Sequence, residues 1–275
     1  MSGVSRSECA DLSQPDSRGQ LIDGLRQQLG RWGAATEADE GGVFSCGAAA
    51  VDRLLPGGGL RHGMLVEWLG AFSGSGAATL GLLAAREACR AGGVLVVIDR
   101  LQTFYPPAAA AWGIDLERLI VVRPNSARDE LWAAVQALRS PVVAALWTNI
   151  ERLDSRTFRR LQLAAEAGRT LGVLVRPAGA RGQPSWADVR LEVGPLSVVC
   201  GPLHSIHGLR TTDHGRCLQV RLVRCHSGRT GGSTVLEIGD AERTVREVNS
   251  THEAHSLPVV AELADSASRS LPARA

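Results

Sequence analysis

Residues 70–79 read Gly-Ala-Phe-Ser-Gly-Ser-Gly-Ala-Ala-Thr, a run of small residues behind the apolar stretch Leu65 to Leu69. The stretch predicts a buried strand. Ala77 to Arg90 follows with Leu80, Leu83 and Ala84 at helical spacing. Strand, small-residue loop and helix form the outline of a phosphate-binding loop, which holds an anion with backbone N–H groups and a helix N-terminus. Gly70, Gly74, Ser75 and Gly76 are the residues that would cradle it. The chemistry needs more than the outline. A lysine must draw charge from the phosphates and an adjacent hydroxyl must hold Mg²⁺, yet Ala77 and Ala78 follow Gly76. Thr79 is the next hydroxyl, one residue out of place. The loop therefore predicts no bound cofactor, with weak ATP and Mg²⁺ binding through backbone groups as the most it supports.

The rest of the composition offers no substitute. None of the 30 basic residues is a lysine, so no amine on this chain can contact a phosphate or form a Schiff base. A formal charge of +2 gives no strong field over the whole molecule. The six cysteines show no C-x-x-C pair, and Cys200, His204, His207, His214, Cys217, Cys225 and His226 match no common zinc spacing. No metal site is expected, and these residues read as loop histidines and free thiols. The polar N-terminal stretch and the lack of any long apolar run predict a cytoplasmic protein with no membrane contact.

Stepwise apolar runs give the frame. Val94 to Ile98, Leu119 to Val122, Val142 to Leu146 and Leu171 to Val175 predict strands. Helices over Ala127 to Arg139 and from Ser155 to Ala167 separate them, the latter burying part of Phe158, Leu161, Leu163 and Ala165. Such alternation predicts an α/β fold with a mostly parallel sheet and helices on both faces. From Asp188 onward the strands Asp188 to Val193, Cys217 to Cys225, Ser233 to Ile238 and Arg243 to Val248 follow without helices. They predict an antiparallel extension of the same sheet. Leu21, Ile22, Leu25, Leu29 and Trp32 predict an amphipathic helix before the domain. The expected division is therefore 1–42 for a disordered segment, that helix and a linker, 43–249 for the domain, and 250–275 for a disordered tail.

With the elements placed, residues 44–248 resemble the RecA-type ATPase core, most closely from Ala49 to Gly70. Tyr105-Pro106-Pro107, Arg160 to Ala167 and Gln219 to Arg229 are similar to stretches of the ImuA family of inducible mutagenesis. The resemblance implies that Leu101 stands where the catalytic carboxylate is found and that Trp147 stands where the metal-supporting aspartate ends the fourth strand. Asp99 is a nearby carboxylate, one that matches the strand end and not the base. The resemblance further implies a non-catalytic RecA-like accessory protein in the SOS-type DNA damage response and error-prone translesion synthesis. Its implied partners are an ImuB-type Y-family-like protein, a C-family error-prone polymerase and RecA. DNA contact would be weak or indirect. The segment matching that fold's DNA loop, Pro177 to Ser185, is short, and arginines 152, 156, 159, 160, 169, 176 and 181 beside it read as a solvated surface.

Overall fold

In the computed structural model of the chain, residues 42–195, 210–212, 215–225, 230–239 and 243–248 are described, with Gln20 and Gly24 as isolated positions. The predicted N-terminal helix and tails, together with Cys200, His204, His207, His214 and His226, lie outside the described residues.

Strand β1 (Val43–Phe44) pairs antiparallel with β2 (Leu60–Arg61), with helix α1 (Ala49–Asp52) between them. The α/β core then runs β3 (Leu65–Gly70), α2 (Ala77–Ala88), β4 (Val94–Ile98), α3 (Pro106–Ala111), β5 (Leu119–Val122), α4 (Ala127–Arg139), β6 (Val143–Asn149), α5 (Ser155–Gly168) and β7 (Leu171–Pro177). A 3₁₀ turn (Ala178–Gly182) leads to β8 (Val189–Pro195), and β9 (Arg210–Thr212), β10 (Gly215–Cys225), β11 (Ser233–Gly239) and β12 (Thr244–Glu247) complete the fold.

The ten-stranded sheet has the order β5-β4-β6-β7-β3-β8-β10-β11-β12, with β9 on β10. From β5 to β8 every pair is parallel, and from β8 outward every pair is antiparallel. Chain reversal without helices explains the switch, since an antiparallel neighbour needs only a short connection. The expected mixed architecture is present. β3 lies in the middle with all six residues buried, as an apolar strand covered on both faces must be.

Two cores face the two sides of the sheet. Val66, Trp68, Leu80, Leu83, Val97 and Val173 belong to one, under α2, which also takes in Leu218 and Ile238 of the extension. Leu65, Leu138, Leu146, Phe158, Leu161 and Leu174 belong to the other, under α4 and α5. Ser126 caps α4 by accepting from Asp129 N. For α5 the cap is Asp154, which accepts from Thr157 N, and not the expected Ser155. Hydrogen bonds from the Thr157 hydroxyl and amide hold the exposed Asp154 carboxyl below its ordinary value. Leu163 is 46% exposed where partial burial was expected.

Candidate functional site: the loop cleft and its walls

The C-terminal ends of β3, β6 and β7 converge on one cleft of about 540 Å³. This is where ligands of open parallel sheets bind. Gly70, Gly74, Ser75, Gly76, Ala77, Ala78 and Thr79 line it together, as the sequence predicts. The facing wall is built by Asn149 at the end of β6 and by Pro177 to Gly179 after β7, with Arg216 reaching in from β10.

Sharp turns at Gly74 (φ 87°) and Gly76 (φ 90°) bring the loop into α2, and Leu80 N donates to Gly76 O at 2.9 Å to start the helix. No side chain caps that helix. Gly76 is also covered from above. A Cβ placed on it would lie 2.7 Å from Leu218 Cδ2 and 3.3 Å from Ile238 Cδ1, so the antiparallel extension sits directly on the loop. Arg216 Nη1 donates to Gly74 O at 3.1 Å, tying the same extension to the loop's outer turn. Gly76→Val should therefore lose about 1–3 kcal/mol from the left-handed backbone and the crowding of Leu218. Urea denaturation of the full chain measures this.

The positions that carry ATPase chemistry in the resembling fold hold apolar side chains. Ala77 is buried and Ala78 exposed in the first turn of α2, while Thr79 is half-buried one residue further on. Trp147 was expected to end its strand. Instead β6 continues to Asn149, because Thr148 and Asn149 keep their pairing with Leu174 and Val175. Trp147 thus lies inside the sheet, 8% exposed, and its indole N–H donates to Ala78 O at 3.3 Å. Phe104 packs against it with ring centroids 5.8 Å apart. The close seat of α2 depends on Gly81, where a Cβ would meet Val173 Cγ1 at 2.9 Å and Trp68 Cδ1 at 3.3 Å. Asn149, which the sequence reading missed, is the polar residue that this strand delivers to the cleft.

Leu101 is not in the cleft and is 45% exposed. Neither does Asp99 line it: buried at the end of β4, it accepts from Thr103 N at 2.9 Å and Phe104 N at 3.1 Å, with Arg123 3.7 Å away. Those bonds give it a turn-forming role. Fitting Mg²⁺ and a triphosphate here would require a cation and oxygen ligands around Ala77 and Ala78. At those two positions the structure provides alanine methyls, and the charges and hydroxyls of the cleft come instead from Ser75, Thr79, Asn149, Glu151, Arg176 and Arg216. Among the described residues no cluster of three or more His, Cys, Asp or Glu side chains is placed to hold a metal ion.

Behind the cleft lies a buried charge cluster that the sequence did not reveal. Glu67 on β3 is fully buried. Arg176 Nη1 of β7 donates to Glu67 Oε1 at 2.7 Å, and Ser185 Oγ donates to Oε2 at 2.8 Å. Arg190 Nε of β8 lies 2.7 Å from Oε2, too bent for a hydrogen bond, which Arg190 makes through Nη2 to Oε1 at 3.2 Å. The surplus positive charge is spread over oxygens of the turn after β7. Arg190 donates to Ala180 O at 2.7 Å and Arg181 O at 2.9 Å, and Arg176 donates to Gln183 Oε1 at 2.6 Å. Arg176 was expected on a solvated surface and is 1% exposed. This cluster fastens the cleft's far wall to the central strand.

The geometry agrees with the known proteins that the chain resembles. Residues 26–147 match the RecA N-terminal domain family. The RecA protein of Picosynechococcus is 39% identical over 97 residues, 35% of this chain and 27% of that protein. In three dimensions the RadB recombinase crystal structure superposes with a TM-score of 0.56 at 17% identity, covering 74% of this chain and 99% of its own. That likeness shows the fold. Among the described residues no helix is long and apolar enough to cross a membrane. Protein ImuA of Caulobacter vibrioides is 30% identical over 239 residues, covering 81% of this chain and 91% of that protein. With so much of both chains aligned on a RecA-like sheet, this chain belongs to the ImuA family.

Proposed function

We propose that this protein is a RecA-like accessory factor in the DNA damage response and error-prone translesion synthesis, working through protein contacts and without ATP hydrolysis. Membership of the ImuA family supports the setting. The observation that supports the loss of catalysis is the first turn of α2, where Ala77 and Ala78 stand in the lysine and hydroxyl positions and Trp147 donates to Ala78 O. Gly70, Gly74, Ser75, Gly76 and Thr79 are on this reading a vestigial nucleotide loop. Ala77, Ala78, Leu101 and Trp147 mark the lost functions.

Magnitudes support that assignment. A charge-assisted phosphate contact contributes about 1.5–3 kcal/mol. A general base contributes roughly 10²–10⁴ in rate. Without lysine, hydroxyl, metal aspartate and base together, no useful turnover remains. The partners of this reading are an ImuB-type protein, a C-family error-prone polymerase and RecA, met in the cytoplasm by surfaces that the intact fold still presents.

Titration with a fluorescent ATP analogue and Mg²⁺ should give no saturable binding in the micromolar range, and phosphate release should equal the buffer blank. Co-elution of purified protein with an ImuB-type partner or RecA is expected. Phosphate release above the buffer blank would overturn the non-catalytic assignment, and micromolar nucleotide binding would count against a vestigial loop. Failure to co-elute with any of the three proteins would remove the accessory role.

A further inference from the structure

We propose that the arginine-lined cavity at the C-terminal end of α2 is a docking site for this chain's own residues 257–265, held there by the carboxylates of Glu262 and Asp265. The inference goes beyond the accessory reading. It concerns the end of the sheet opposite the vestigial loop.

The cavity measures about 440 Å³, the size of a small ligand pocket. It opens between the last turn of α2 and the chain that enters β4 and β5. Leu95 and Ile114 give it an apolar wall, and Arg86, Arg90 and Arg118 line it with charge. Cys89 adds none, because burial pushes its thiol up to about 12 against the pull of Arg118. Arg86 serves the fold, donating to Glu87 Oε1 at 2.6 Å and to Trp112 O at 2.8 Å. The other two have donors to spare. Among the described residues Arg90 pairs only with Glu87, through Nε at 2.9 Å, and its side chain is 73% exposed. The Arg118 guanidinium makes no hydrogen bond among them, and its ion pair with Asp115 spans 3.8 Å. Asp115 also accepts from Glu117 N at 2.9 Å. Three guanidiniums thus share two carboxylates, Glu87 and Asp115, and one positive charge is left over beside an apolar wall.

Strand direction decides what can reach it. β8 runs parallel to β3, and β10, β11 and β12 then reverse in turn. β12 therefore finishes at the end of the sheet where β3, β4 and β5 begin, the same end at which the cavity opens. Val248 follows β12, and 27 residues of the sequence remain. β12 lies seven strands from β4, about 34 Å at about 4.8 Å per strand. The fourteen residues from Val248 to Glu262 can extend over about 46–50 Å, so the reach suffices. Composition agrees with reach. Residues 249–268 hold three carboxylates, Glu253, Glu262 and Asp265, and no arginine. Only at 257–265, Leu-Pro-Val-Val-Ala-Glu-Leu-Ala-Asp, do carboxylates stand among large apolar side chains. On this placement Leu263 would cover Leu95 and Ile114, while Glu262 would meet the spare donors of Arg90 and Arg118. Guanidiniums hold carboxylates by charge-assisted hydrogen bonds, the strongest kind open to this surface.

The test is hydrogen exchange of the full chain, read by mass spectrometry, against a synthetic peptide of residues 257–265. In the chain these amides should exchange about 10-fold more slowly than in the peptide, as charge-assisted contacts allow. Salt at about 0.5 M should remove much of that protection. Arg90→Ala combined with Arg118→Ala should return the segment to the peptide's rate, and Glu262→Gln combined with Asp265→Asn should do the same. Endoproteinase Glu-C should also cut after Glu262 faster in the arginine variant than in the parent. Both arginines are largely exposed, so urea denaturation of their variant should match the parent and separate undocking from unfolding. A parent segment that exchanges at the peptide's rate overturns the proposal. So does protection that survives the arginine replacements, or protection that grows with protein concentration and so belongs to a contact between copies. Co-elution with an ImuB-type protein or RecA is scored separately, and its loss with docking intact removes the accessory role alone.

Discussion

Glu67→Ala is expected to destabilise the protein by about 3–5 kcal/mol, enough in a domain of ordinary stability to reduce soluble yield. Among the described residues, Glu67 is the only carboxylate paired with the two buried guanidiniums of Arg176 and Arg190. Its removal leaves two positive charges in the centre of the sheet with only carbonyl and amide oxygens to hold them. The measurement is urea denaturation of the full chain. A second readout distinguishes the loop from the core. Arg190 and Arg176 fasten the turn after β7 through Ala180 O, Arg181 O and Gln183, so trypsin should cut the variant after Arg181 far faster than the parent. Replacing all three charged residues by Leu and Met should cost less than the single change, because no charge is then stranded. If Glu67→Ala unfolds within about 1 kcal/mol of the parent, the cluster is not what holds this wall.

The second large effect is expected at Trp147. Restoring an aspartate there is the obvious route back to a metal site, and it should fail in a particular way. Trp147 is 8% exposed, stacks near Phe104 and donates to Ala78 O. Trading it for aspartate removes an aromatic side chain from the core, about 3–5 kcal/mol by itself, and adds a charge with no partner. Trp147→Asp combined with Ala77→Lys and Ala78→Thr should therefore melt far below the parent, and Mg²⁺ with ATP should not raise its melting temperature. Trp147→Phe should keep most of the stability. A triple variant that folds well and gains stability with Mg²⁺-ATP would show that the cleft has kept its ligand geometry, contrary to the reading of this position as rebuilt core.

The two cases differ in how much could be read beforehand. Apolar runs and small-residue breaks placed β4, β5 and α4 to the residue, because their period and boundaries are local properties. The loop from Gly70 to Thr79 was legible for the same reason. β6 was less so. Its last residues, Thr148 and Asn149, are polar and look like a loop, but pairing with β7 keeps them extended and moves Trp147 into the sheet. Arg176 and Leu163 were misjudged in opposite directions, since burial of a side chain depends on what lies opposite it. Glu67 lies 109 positions from Arg176 and 123 from Arg190, and nothing in either neighbourhood announces the other.

The sequence by itself determined the α/β order, the mixed sheet, the family resemblance and the missing chemistry of the loop. Each is written in residue identity and short-range periodicity. Tertiary structure alone decided that Leu218 and Ile238 close over Gly76, that Trp147 occupies the space beneath α2, and that a buried carboxylate anchors the facing wall. It also placed Trp186 against Arg159. Those facts rest on contacts between strands and helices far apart in the chain, which only the packing of one sheet brings within a few ångströms.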